Sequence, residues 1–143
     1  MLIPDVNVLV AAMRPDHEHH DVAASWLAVS LAARQGIGLT MPVMTAAVRV
    51  LTNSRVFNQP DSPEVVVAGI DALLARRRVE IVPSTRRCWP IFARLCEAVT
   101  ARGDLVTDAW HAAAAIEHGA TLVSFDKGFA RFPGLSWLNP LEA

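Results

Sequence analysis

Short apolar runs alternate along this chain with longer stretches of helical period, and that alternation narrows the fold more than any other feature. Leu2 to Pro4 runs straight into helical pattern from Val6 to Met13, which Pro15 and Asp16 break. From about His17 to Arg34, Val22, Trp26, Val29 and Ala33 share one apolar face, and Gly36 and Gly38 end the helix. Leu39-Thr40-Met41 is a second strand, Pro42 opens a helix from about Val43 to Leu51, and Asn53 to Pro63 is loop. A helix over about Pro63 to Arg76 precedes a third strand, Val79 to Val82. Pro83, Ser84 and Thr85 then cap a helix reaching about Ala101. Gly103 to Val106 is expected as a loop, with Thr107 capping a helix to His118 that Gly119 stops. Thr121 to Ser124 and Leu135 to Leu138 supply the last strands. About five short strands separated by helices predict an α/β fold, with a parallel sheet covered on both faces.

The 143 residues fit a single domain spanning 1–143, with no repeat, low-complexity tract or internal boundary. Hydrophobic residues make up 52% and charged residues 19%, which excludes disorder and leaves apolar surface for a partner. The longest apolar stretch, Ala23 to Ala33, is about half a bilayer span, and Met1-Leu2-Ile3-Pro4 has no basic leader pattern. Cys88 and Cys96 fall on one expected helix, about 12 Å apart along its axis, too far for a disulfide. Reduced thiols and no membrane segment predict a cytoplasmic protein. The net charge of −1 excludes a broad basic surface, so nucleic acid would need local patches or metal ions screening carboxylates.

The acidic side chains are where chemistry enters. Active sites of open parallel sheets lie at the C-terminal ends of strands. Asp5 follows the first strand and Asp126 follows Leu122 to Ser124, while Asp108 opens a helix and Asp104 stands four residues earlier. Each has an ordinary explanation: Asp108 at a helix N-terminus, Asp126 in a turn beside Gly128. Together they are remote positions that a parallel sheet would converge. Crowded carboxylates raise one another's pKa, and a hard divalent cation removes that cost.

Four segments carry a family resemblance. Pro4-Asp5-Val6-Asn7-Val8-Leu9 opens the chain, and Arg49-Val50-Leu51-Thr52-Asn53-Ser54-Arg55-Val56-Phe57 lies in its middle. Leu105-Val106-Thr107-Asp108-Ala109-Trp110-His111-Ala112-Ala113 and Gly119-Ala120-Thr121-Leu122-Val123-Ser124-Phe125-Asp126-Lys127-Gly128-Phe129 follow. In order and spacing these resemble PIN domains, most closely the VapC-type ribonuclease toxins of bacterial toxin–antitoxin pairs. The resemblance spans Leu2 to about Trp137. It implies a PIN-like three-layer α/β/α fold and Mg²⁺-dependent (or Mn²⁺-dependent) endoribonuclease activity. It further implies an RNA substrate, a homodimer and an antitoxin protein that blocks the acidic site. Asp5, Asp108 and Asp126 match the acidic positions, with Asp104 as a fourth catalytic and metal-binding carboxylate and Asn7 and Ser124 as supporting groups. One position departs. Where the family places a Glu three residues before the residue matched by Arg49, this chain has Ala46, and no acid occurs between Asp21 and Asp61. Asp104 is the expected partial replacement.

Two other functions stay open on the residues alone. A PIN-like module could bind RNA or protein without cutting, having lost the Glu. A phosphatase-type enzyme could use Asp5 as nucleophile, but the second Asp such enzymes carry two residues on is Asn7 here. His17-Glu18-His19-His20 reads as a polar first turn, because adjacent His19 and His20 on a helix diverge by about 100°. His111, three residues after Asp108, faces either packing or a ligand. Arg76-Arg77-Arg78 with Arg86 and Arg87 is the densest basic patch, read first as complementing a helix C-terminus. Trp26, Trp89, Trp110 and Trp137 read as core or interface.

Overall fold

A computed structural model describes the whole chain, Met1–Ala143. In chain order its elements are β1 (Leu2–Pro4), α1 (Val6–Met13), α2 (His20–Ala32), β2 (Ile37–Leu39), α3 (Met41–Leu51), α4 (Pro63–Leu74), β3 (Val79–Ile81), α5 (Cys88–Val99), α6 (Asp104–Glu117), β4 (Thr121–Val123) and β5 (Ser136–Leu138). The five strands form one parallel sheet in the order β3-β2-β1-β4-β5.

Strand side chains alternate between faces, so the sheet supports two cores. Ile37 and Leu39 face a cluster with Leu9, Val43, Leu51, Val66 and Ile70 from α1, α3 and α4. Ile3 and Leu122 face the other, with Leu95 from α5 and Ala109, Ala112 and Ala113 from α6. The alanine face lets α6 lie close to the sheet. Between its two neighbours in β2, Gly38 permits a tight approach: a Cβ there would stand 2.3 Å from Val82 Cγ2 and 2.6 Å from Met1 Sδ. No helix is long and apolar enough to cross a membrane.

Several boundaries differ from the sequence expectation, each for a local reason. The second strand is Ile37–Leu39 because Thr40 caps α3, its Oγ1 accepting from Val43 N at 3.3 Å. Helix α2 starts only at His20, since Arg14 to His20 forms a pair of turns. Helix α6 starts a full turn before Thr107: Gly103, at φ 57°, provides the entry, and Leu105 packs against the second core. Thr85 does not cap α5. Its backbone N–H and hydroxyl both reach the Glu117 carboxylate. Cys88 and Cys96 are free thiols on α5, and burial, followed by Glu117, pushes the Cys88 thiol up.

A carboxylate cleft at the switch point of the sheet

From β1 the chain steps outward to β2 and β3, then returns to the other side of β1 for β4 and β5. Between β1 and β4 the winding reverses, and a crevice opens beyond their C-terminal ends. Asp5 is the first residue past β1, its N–H bonded to Val123 O at 2.8 Å. Asp126 follows β4 by three residues, and Asp108 is in the second turn of α6. Asp5, Asp108 and Asp126 border one cleft of about 700 Å³, together with Asn7.

Capping and convergence coexist in these residues. Asp5 caps α1, its Oδ1 accepting from Val6 N at 2.7 Å, and Asp126 Oδ1 accepts from Gly128 N at 2.7 Å. Asp108 carries the electrostatic consequence of convergence. Partial burial raises its pKa first, then the charges of Asp126 and Asp5; Arg131 opposes them and Asp104 adds to them.

Ser124 ties the cleft together. It is fully buried, and its hydroxyl donates to Asp5 Oδ2 at 2.8 Å. The same oxygen accepts from Asn7 Nδ2 at 3.0 Å and from Asp126 N at 3.1 Å. Asn7 Oδ1 in turn accepts from Phe125 N at 3.3 Å. One donor and two acceptor sites exhaust a hydroxyl, so this one is fully used.

The remaining expected residues divide. Asp104 is exposed in the first turn of α6 and does not border the cleft. Ala46 is half-buried on α3, one turn before cleft-lining Val50. His111 is 6% exposed; burial pushes its ring toward the neutral form, against the charge of Asp5. Of the histidine run, His17 and Glu18 border the cleft, while His20 Nδ1 lies 2.8 Å from Ala11 O. As they stand, no three His, Cys, Asp or Glu side chains anywhere in the fold are placed to hold a metal ion between them. Arg76–Arg78 precede β3 and so lie at the sheet end away from the aspartates, and Arg78 Nη1 donates to Ala33 O at 3.2 Å. Sequence reasoning missed His17, Glu18, Val56 and Phe57 as cleft residues, because they sit in turns without periodicity.

The sequence profile of the PIN domain matches residues 2–135. "VapC ribonuclease Mb2897" of Mycobacterium bovis is 40% identical over 142 residues, 99% of this chain and 97% of that protein. "Ribonuclease VapC37" of Mycobacterium tuberculosis is 35% identical over 140 residues, 98% of this chain and 97% of that protein. Among solved structures, VapBC2 from Rickettsia felis, bound to a DNA fragment from its promoter, superposes with a TM-score of 0.71 at 22% identity, covering 96% of this chain and 97% of that one. Mycobacterium tuberculosis VapC20, a sarcin-ricin loop cleaving toxin, does so with a TM-score of 0.64 at 18% identity over 91% and 93%.

Proposed function

This chain belongs to the PIN-domain family, among its VapC ribonucleases, and on that premise we propose that it is a metal-dependent endoribonuclease acting as the toxin of a toxin–antitoxin pair. The observation that carries the reading is that Asp5, Asp108 and Asp126 border one cleft, with the Asp108 pKa raised first by partial burial and then by the charges of Asp126 and Asp5. Hard oxygen donors around one cleft suit Mg²⁺ or Mn²⁺, which keeps several waters and so does not need all three carboxylates in mutual contact, and whose charge relieves their repulsion. Asp5, Asp108 and Asp126 would hold the ion, and Asp104, exposed one turn before Asp108, would reach it only through water. When bound, the ion polarises the scissile phosphate and lowers the pKa of an attacking water.

The chain's own groups prepare that site. Ser124 orients the Asp5 carboxylate by donating to its Oδ2, and Asn7 fixes the turn that presents Asp126. The unit of function is the whole of residues 1–143, working in the cytoplasm as a homodimer. The exposed side chains of Val29, Val65 and Trp89 offer apolar surface for a second copy and for an antitoxin. Ala46 favours one other reading, a weakened module that binds RNA without cutting it. The test is incubation of RNA with Mg²⁺, Mn²⁺ or EDTA, using wild type and Asp5→Asn. Cleavage that EDTA and the substitution both abolish is expected. Binding without cleavage would replace the nuclease with the binding module.

A further inference from the structure

The cleft has two chemically different parts. One set is Asp5, Asp108 and Asp126 with Asn7; the other is an apolar wall of Val10, Val50, Val56 and Phe57, beside which Asp16, His17 and Glu18 come from the turns before α2. Val56 is 53% exposed, although it sits beside carboxylates where an apolar side chain gains nothing from core packing. Its loop is held in place nonetheless. Asn53 O accepts from Val56 N at 3.0 Å and Phe57 N at 3.1 Å. Arg14, only 7% exposed, reaches in from the end of α1: Nη2 donates to Gln59 O at 2.6 Å and Nη1 pairs with Asp61 at 3.3 Å. The guanidinium lies 4.3 Å from the centre of the Phe57 ring, and Asp16 holds its Nε. A buried arginine with three polar partners and a ring is a clamp. It fixes the wall before any ligand arrives, which lowers the entropic cost of binding.

His17 borders the same cleft. Its Nδ1 accepts from His19 N at 3.0 Å, so the neutral ring carries its proton on Nε2, the ring's free donor. A cation-loving floor beside a preset apolar wall and one neutral donor matches the parts of a nucleotide: phosphate, planar base and base edge. RNA exposes bases in this way where it is unpaired.

We propose that Val50, Val56 and Phe57, with His17, form a subsite for an unpaired nucleobase of the RNA whose phosphate is cut at the aspartates. The subsite rests on the nuclease reading for its substrate, but it makes a separate prediction. Methyl-labelled wild-type protein with Mg²⁺ is titrated with low-millimolar adenosine or cytidine monophosphate, and in parallel with ribose 5-phosphate. Ring-current shifts of the Val50 and Val56 methyls are expected from the nucleotides and not from the sugar phosphate. Val56→Ser, at an exposed position, is expected to raise KM for RNA about tenfold with kcat nearly unchanged. On a substrate made abasic at the nucleotide beside the cut it should change little. Cleavage by a protein whose methyls do not respond to the base overturns the subsite and leaves the nuclease standing. Base-dependent shifts without cleavage keep the subsite and remove the nuclease. Equal loss on the intact and abasic RNA, or methyl shifts from an arginine-containing peptide but not from nucleotides, overturns the nucleobase assignment; the latter gives the wall to a protein partner.

Discussion

Ser124→Ala removes one oxygen on which three parts of the cleft depend. The lost bond to Asp5 is made to an ionised group, and such bonds contribute about 1.5–3 kcal/mol. The bonds from Asn7 Nδ2 and Asp126 N are of the neutral kind, about 0.5–1.5 kcal/mol each. Asn7 and Asp126 border the open cleft, so water recovers part of those two, whereas Ser124 itself is sealed from solvent. The net loss expected is about 2–4 kcal/mol, read as a lower urea midpoint at unchanged slope in EDTA. Metal affinity should fall too, because Asp5 keeps its place but loses its orienting donor. Loss of such a supporting group typically costs about 10–100-fold, measurable by Mn²⁺ calorimetry. Since Ser124 holds Asp5 and does not itself meet the ion, cleavage should recover substantially at saturating Mn²⁺. A stability loss below about 0.5 kcal/mol with unaltered Mn²⁺ affinity would refute the reasoning and make the hydroxyl mere filling.

Other perturbations test the remaining features. Asp108→Asn should reduce cleavage by more than the roughly 100-fold that loss of a supporting group costs. It should also raise the melting temperature of the metal-free protein. A carboxyl whose folded pKa is raised penalises the fold above that pKa, so the gain is full at neutral pH and vanishes in acid, below the ordinary carboxylate range. Melting curves in EDTA at both pH values check the sign. Ala46→Glu, one turn before cleft-lining Val50, brings a carboxylate within a helical turn of the cleft and should tighten Mn²⁺ binding by roughly tenfold in calorimetry. Gly38→Ala should cost about 1–3 kcal/mol in urea unfolding, because Val82 and Met1 must move from the added Cβ. Leu95→Ala, at a fully buried position, should cost about 2–5 kcal/mol by the same assay.

The parts of this molecule governed by short-range periodicity were legible from its residues. Strand Leu2–Pro4 and helix Val6–Met13 fall where apolar pattern and proline place them. The parallel order of β1 to β4 follows because helices separate them, while β4 and β5 are joined through a short 3₁₀ segment, Lys127–Arg131. Thr40 and Thr107 misled in opposite ways: one was read into a strand yet caps a helix, and the other was read as a cap yet lies within a helix. Both have side chains that suit either role, and only tertiary packing, of Leu105 in the second case, decides. The aspartates were readable because strand ends mark chemistry. The apolar wall was not, since Val56 and Phe57 lie in a loop whose position depends on Arg14, more than forty residues away along the chain.

The hydroxyl that joins Ser124 to Asp5 spans 119 residues of chain. During synthesis the amino-terminal half therefore emerges with Asp5 able to cap α1 but lacking its bonds to β4 and Ser124. The cleft is completed only when β4, more than a hundred residues after β1, inserts beside it. A chain that stops before β4 therefore holds Asp5 without Ser124 or Asp126, and its carboxylate cleft is never assembled.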